Sequence, residues 1–355
     1  MGTGNHNPNI TNDVRITSSP PPITAFSIAL LLVPLASNSL NGSRVLSFAS
    51  LADAQEARDA GYISAATMAA ATVAFSQPSV PSAFKVGYVD LVGSETYATA
   101  LAACIAADTD FFWVCITART DAEIVAVSNY IEGIATTRVL RFMFQSDDTG
   151  LMGSFPSGLT GLQANTRTQG IFHTSDSEWN DVAYVVNRGT YDPAQVSVPW
   201  TGCQLSGVAA LSPNPTQTQR NTAVNTNHIN LMLPYFVSAF VMDPGVDITG
   251  QPIEEGVTAD YLSIAVRRAV ALMVVNRSNR GQKTAVDATG QQLVIAAASG
   301  VMSLAETAGH IEPGWSVVGE TITEADLSNR ELRFTIRGTL TVSGRLFTFK
   351  TYLSR

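Results

Sequence analysis

Histidines, acids and cysteines come first, because these side chains carry acid–base, metal and nucleophilic chemistry. Four histidines stand at His6, His173, His228 and His310. They lie far apart, on segments that read as loops or as a terminal arm. None falls in an H-E-x-x-H pair, so metal-assisted hydrolysis has no support. No G-x-S-x-G marks a nucleophile elbow. One cluster, "FHTSDSEWND" over 172–181, brings His173, Asp176, Glu178 and Asp181 close together in sequence. It can be drawn as an acid–base site, but it reads more simply as the polar residues of a loop. Arg267 with Arg268, or Arg277 with Arg280, would make an anion patch. Arginines in such places more often serve interfaces and helix ends.

The remaining chemistries are excluded in the same way. Three cysteines, Cys104, Cys115 and Cys203, form no C-x-x-C and no metal-like spacing. They read as reduced thiols of a cytoplasmic product. The turn after the apolar run 84–92 is "GSET". It lacks both G-x-G-x-x-G and G-x-x-x-x-G-K-[ST]. A dinucleotide site needs those glycines for the backbone to approach a pyrophosphate. No catalytic residue, cofactor or metal ligand is therefore assigned.

The elements that would position such residues are clearer than the residues themselves. "AFSIALLLVPLA" (25–36) is too short to span a bilayer, and its flanks are wrong for a signal peptide. It reads as a buried strand over 23–35. "SLADAQEARDAG" opens a helix at Ser50 and closes it at Gly61, and an Ala-rich helix follows from Tyr62 to Phe75. Runs at 84–92, 111–118 and 138–144 read as strands. Between them lie helices over 94–107, capped by Ser94, and 120–134, with a capping box at Thr120 and Glu123. Strand–helix–strand at this spacing predicts a parallel sheet with right-handed crossovers. Residues 146–235 turn rich in Gly, Thr, Asn and Pro, with short candidate strands such as "VAYVVN" and "GCQLSGVAAL". Strong helix returns over 254–276, capped at Thr258, and over 287–309.

These readings give a fold class and a division of the chain. The class is α/β: a largely parallel sheet core with flanking helices, an inserted β-rich or irregular domain, and extended N- and C-terminal arms. The predicted units are an arm (1–22), a first core part (23–145), an inserted outer domain (146–235), a second core part (236–342) and a terminal arm strand (343–355). Composition agrees: 355 residues, 45% hydrophobic and only 14% charged, allow a large core and extensive contact surface. The net charge of −8 argues against nucleic acid as a partner. Six bases against one acid fall in residues 330–355, leaving −13 on the remainder. A basic tail on an acidic body is drawn to other copies of that body.

The tail is also the cleanest strand signal. Leu332, Phe334, Ile336, Leu340 and Val342 alternate with Arg333, Thr335, Arg337, Thr339 and Thr341, and a second apolar run follows over 346–353. Two bare strands at a chain end are a hazard unless they recruit a partner. They either turn back at Ser343-Gly344 as a hairpin or cross to another subunit.

Five stretches together resemble one family. They are "VLSFASLADAQ", "FSQPSVPSAFKVGYV" (75–89), "GVTADYLSIAVRRAVALMVVN" (256–276), "DATGQQLVIAAASGVMSLAETAGHIEPGW" (287–315) and the terminal strands. The chain resembles the short tail sheath proteins of contractile-tailed bacteriophages over about two-thirds of its length. Residues 146–235 match least, and Tyr261 stands where the family tends to have tryptophan. The resemblance implies a structural subunit and no enzyme. Such subunits form hexameric rings stacked around a tail tube, joined by terminal arms that add strands to a neighbour's sheet, and contract to drive the tube through the host envelope. The implied partners are copies of itself, the tube protein, and baseplate and tail terminator proteins, with no nucleic acid and no direct membrane insertion. The implied location is the virion tail, assembled in the host cytoplasm. The arm residues would be Val14, Ile16, Leu346, Phe347, Phe349, Thr351 and Leu353, and the hinges Pro20, Pro21, Pro22, Gly338 and Gly344. The competing readings are an α/β enzyme with an ordinary C-terminal hairpin, and a tube or baseplate component.

Overall fold

A computed structural model describes residues 26–35, 42–236, 239–329 and 331–341. Its centre is an eight-stranded sheet in the order β2-β3-β1-β4-β5-β6-β7-β8. The strands are β1 (Ala29–Leu35), β2 (Val45–Phe48), β3 (Phe84–Asp90), β4 (Trp113–Ile116), β5 (Arg141–Ser146), β6 (Thr168–Phe172), β7 (Ile229–Phe236) and β8 (Ala239–Asp243). The six inner strands are parallel, and β2 and β8 pair antiparallel at the two ends.

Burial on both faces explains the unbroken apolar runs of the inner strands. Along β1, Ala29, Leu31 and Val33 enter one core, while Leu30 and Leu32 enter the other. The first core is closed by α1 (Leu51–Asp59), α2 (Ala65–Phe75) and α5 (Asn180–Gly189). The second is closed by α3 (Tyr97–Ala107), α4 (Asp121–Ile134) and α6 (Gln217–Asn225). Gly87 shows how tightly α3 lies on the sheet: a Cβ there would stand 2.7 Å from the Cys104 sulfur and 2.8 Å from Leu32.

A third core belongs to the last part of the chain. The long helix α7 (Ile253–Asn279) and α8 (Ala288–Thr307) pack Leu262, Val266 and Val270 against Val294, Ala298 and Met302. A two-stranded sheet of β9 (Ser316–Gly319) and β10 (Phe334–Arg337) covers them, with α9 (Glu324–Asn329) between the strands in sequence. No described helix is long and apolar enough to cross a membrane.

Several local expectations change. The α3 cap is Thr96, not Ser94: Thr96 and Thr99 form a reciprocal box. Ser94 is spent on the preceding turn, with φ +58°. Thr120 precedes α4 but makes no side-chain cap bond, and the Glu123 carboxylate accepts from the Tyr97 N–H, 3.2 Å away, at the start of α3 rather than from Thr120. Helix α7 begins five residues before Thr258, which lies buried within it. "VAYVVN" is part of α5 rather than a strand, and "GCQLSGVAAL" forms no strand. Nine of ten α5 residues are buried, and its apolar residues run unbroken from Val182 to Val186, a pattern a buried strand shares. The stretch 146–235 therefore divides. Its β6, α5 and β7 belong to the main sheet and its covering layer, whereas 147–167 runs in loops with two short 3₁₀ turns and 190–216 in irregular loop.

Candidate assembly interface

The acid–base candidates do not converge. The His173 Nδ1 accepts from the Ser175 N–H at 3.1 Å. Asp181 is fully buried and paired with Arg119 at 2.6 Å, while Asp176 is exposed. Glu178 caps the Ala209 N–H at 3.1 Å. Gln145 organises the cluster, donating to the carbonyls of Ser175 and Glu178 and accepting from the Asn180 N–H. This is a loop pinned to the end of β5. Among the described residues no three His, Cys, Asp or Glu side chains are placed to hold a metal. All three thiols are buried, and burial pushes Cys104 up to about 11. They are protonated and unreactive at neutral pH.

The sheet order reverses between β1 and β4, and the crevice beyond such a reversal is where open α/β sheets bind ligands. Of its two sides, the loop after β1 lies outside the described residues, and the loop after β4 carries Thr117. The Tyr97 hydroxyl meets Thr117 at 2.8 Å, and Glu95 accepts from the Asp90 N–H and from Arg44.

The β9–β10 ribbon presents a different arrangement. Phe334 faces Gly319, and Ile336 faces Val317. The Glu320 N–H donates to Arg333 at 3.0 Å. Farther along, Glu312 donates to Thr339 at 2.8 Å and Thr341 to His310 at 2.9 Å, flanking a bridge between Ile311 and Leu340. Antiparallel pairing alternates, so if 333 and 335 bond inward, 334 and 336 turn their backbone groups outward. The same logic turns Leu340 outward. Residues 334–337 thus have one edge paired to β9 and one edge with no partner strand among the described residues. Phe334 and Ile336 offer one N–H and one C=O each along it. Their side chains are buried over α8, which fixes the edge in place.

In the main sheet, Met242 on β8 is already bonded to residues 202 and 203. At the other end, β2 pairs only with β3, so its outer edge also has no partner strand among the described residues. Gly338 interrupts β10 with ordinary backbone angles. What it supplies is close approach, because a Cβ there would lie 3.3 Å from Trp315. Val14, Ile16, Pro20, Pro21, Pro22, Gly344, Leu346, Phe347, Phe349, Thr351 and Leu353 lie outside the described residues.

The ribbon is tied to the main body by contacts that the sequence does not announce. Asp260 on α7 accepts from Arg141 Nε on β5 at 2.8 Å and from both Arg167 terminal nitrogens at 3.0 and 2.8 Å. Arg141 is 4% exposed and Asp260 5%. Tyr261, the next residue, lies with its ring 6.1 Å from Phe26 at the start of β1 and 6.2 Å from His310 at the ribbon.

No family model and no curated protein matches the sequence. Solved structures do match the fold. A chain of the anti-feeding prophage baseplate superposes with TM-score 0.69 at 12% identity, covering 96% of this chain and 98% of that one. The anti-feeding prophage helical sheath in its contracted state gives 0.68 at 13% identity, covering 95% and 96%. The contracted sheath complex of an extracellular contractile injection system, PVC, gives 0.67 at 10% identity, covering 95% and 94%. Over nearly its whole length, the chain has the fold of the sheath proteins of contractile injection systems.

Proposed function

We propose that the chain is a structural subunit of a contractile sheath, acting by assembly with copies of itself rather than by catalysis. The observation that carries this reading is the outward edge of Phe334 and Ile336 on β10, which has no partner strand among the described residues and whose side chains are buried in the α7–α8 core. An extended segment of a neighbour adds to such an edge through backbone bonds, with alternate side chains giving specificity. The donors are the arms, through Val14 and Ile16 at one end and Leu346, Phe347, Phe349, Thr351 and Leu353 at the other. The connectors are Pro20, Pro21 and Pro22 on one side and Gly344 on the other. About six strand bonds at ~0.5–1.5 kcal/mol each make one link worth several kcal/mol before the cost of ordering the arm. A single link is therefore weak, and the lattice holds because every subunit makes several. Subunits stack as hexameric rings around a tube, bound at its ends by baseplate and terminator proteins. Contraction is a rigid-body rearrangement about the arm connectors. The particle is a phage tail or a related injection device, assembled in the producing cell's cytoplasm.

Negative-stain microscopy of the purified chain tests this directly. Long hollow cylinders are expected; a small closed oligomer would reject the reading. Truncation after Ser343 is expected to leave a folded body that no longer polymerises. If that body unfolds, the last strand belongs to its own core.

A further inference from the structure

The turn after β3 carries Leu91 and Val92, 56% and 76% exposed. Among the described residues they are the one pair of chain neighbours in which both large apolar side chains stand exposed. The turn is held from within. The Gly93 N–H donates to the Asp90 carboxylate at 2.9 Å, Ser94 to the Leu91 carbonyl at 3.2 Å, and Glu95 to the Asp90 carbonyl at 2.9 Å. A tip fixed in this way loses little conformational freedom when it docks.

A cleft of 550 Å³ opens between α7 and the loop that follows α5. Tyr261, Ala265, Ala269 and Leu272 line one wall, and steps of three and four residues put them on one face of α7. The two alanines hollow the middle of that wall. Phe26 also lines the cleft. Phe26 stands just before β1, whereas Leu91 stands just after β3, and these two strands run parallel over seven paired residues. Cleft and tip therefore lie at opposite ends of the strands, about 23 Å apart along them.

We propose that the Leu91–Val92 tip of one copy seats in the α7 cleft of the next. The proposal rests on the sheath reading only in taking a second copy as the occupant. A tip and a cleft at opposite ends do not meet within a chain. Between chains they make a head-to-tail contact, the kind that repeats into rings or filaments. Residues 91–94 are uncharged, and Arg268 and Asp192 in the cleft lining sum to zero, so neither side buries an unbalanced charge. Charge also sets the orientation. Asp90 at the root of the tip sits on the α7 side, towards Arg268 and away from Asp192.

The test mixes two full-length single variants, Val92→Cys in one and Ala269→Cys in the other, and oxidises them under assembly conditions. Peptide mass spectrometry maps the bond. The native thiols are buried and supply no competing reaction. The control replaces Ala269→Cys with Gly300→Cys, an exposed site with open space around it. Bonding between 92 and 269 on the order of tenfold above the control is expected from the raised local concentration. Bonding no higher than the control, or bonds only between like variants, would overturn the proposal. Hollow cylinders forming all the same would then leave the sheath reading standing, and their absence would remove both. As a second readout, Leu91→Ser with Val92→Ser is expected to leave Tm unchanged, because both sites face solvent. It is expected to raise the critical concentration for polymerisation on the order of tenfold or more, the worth of one apolar side chain lost from a contact. An unchanged critical concentration would also overturn the proposal.

Discussion

Asp260→Asn is the substitution with the sharpest expected consequence. Asp260 is the sole described carboxylate in ion-pair contact with Arg141 and Arg167. Arg141 is 4% exposed, so water does not replace the lost charge. At about 4 Å and an effective dielectric of ~20, one such attraction is worth about 4 kcal/mol. Breaking a buried pair by removing one partner costs ~3–5 kcal/mol, since the remaining charge stays buried and uncompensated. The amide keeps the shape and an acceptor oxygen, which places the expectation near ~3 kcal/mol. For a chain of this size that lowers Tm by roughly 4 °C. Thermal unfolding of the unassembled protein measures the total. Hydrogen exchange locates it: the loss is expected over residues 253–265, where α7 meets the sheet, and not over 290–305, which have their own core with α7. A Tm within about 1 °C of the parent would refute the reasoning, because it would mean that solvent already reaches the triad.

Ile336→Pro removes an outward N–H while sparing the bonds to β9; compared with Ile336→Ala, which loses the same side chain, it is expected to abolish polymerisation at similar thermal stability. Gly87→Ala forces a methyl against Cys104 and Leu32, and is expected to cost ~1–3 kcal/mol, read as a lower denaturation midpoint. His310 is 2% exposed, and burial lowers its pKa against the opposing pull of the Pro193 carbonyl and Asp192. The unfolded chain then binds the extra proton first, so this contribution to stability is present above about pH 6.5 and lost on acidification below it; His310→Gln is expected to flatten that part of the profile. Iodoacetamide is expected to label none of Cys104, Cys115 and Cys203 until the protein unfolds, given their burial and raised pKa values.

The parallel core was legible because its strands alternate with well-spaced helices. Both faces of β1, β3 and β4 are covered, so their apolar runs are long. The terminal alternation was legible too: Leu332, Phe334, Ile336 and Leu340 are all buried, as their spacing requires. Strand β6 was hidden by its own polarity. "TQGIF" opens with Thr168 and Gln169, yet both are fully buried, Thr168 bonded to Ser128 at 2.6 Å. Polar residues with partners inside a core look like loop residues in a sequence. The Arg141–Asp260–Arg167 triad had no local signature, since its members are 26 and 93 residues apart along the chain. The one available hint was Arg141 at the centre of "RVLRFMF", a base in a strand buried on both faces, where a charge requires a partner.

These contacts also define how force would pass through the subunit. Phe334, Ile336 and Leu340 pack in one core with α8 and α7. Helix α7 meets the sheet through Asp260 on β5 and the 167 loop, and through Tyr261 beside Phe26. Both ends of the described chain thus meet one side chain of α7: Phe26 packs edge-on to Tyr261, and the ring of His310, whose carbonyl accepts from Thr341, lies tilted against it at 6.2 Å. A pull on either arm reaches the eight-stranded sheet through the same helix. A flexible hinge at that point would dissipate the motion of one arm before it reached the other. The buried triad does the reverse. Its charges are satisfied in only one geometry, so rotation of α7 against β5 would separate ions in a site with little water to receive them. On the sheath function proposed above, the described body would then move as one piece.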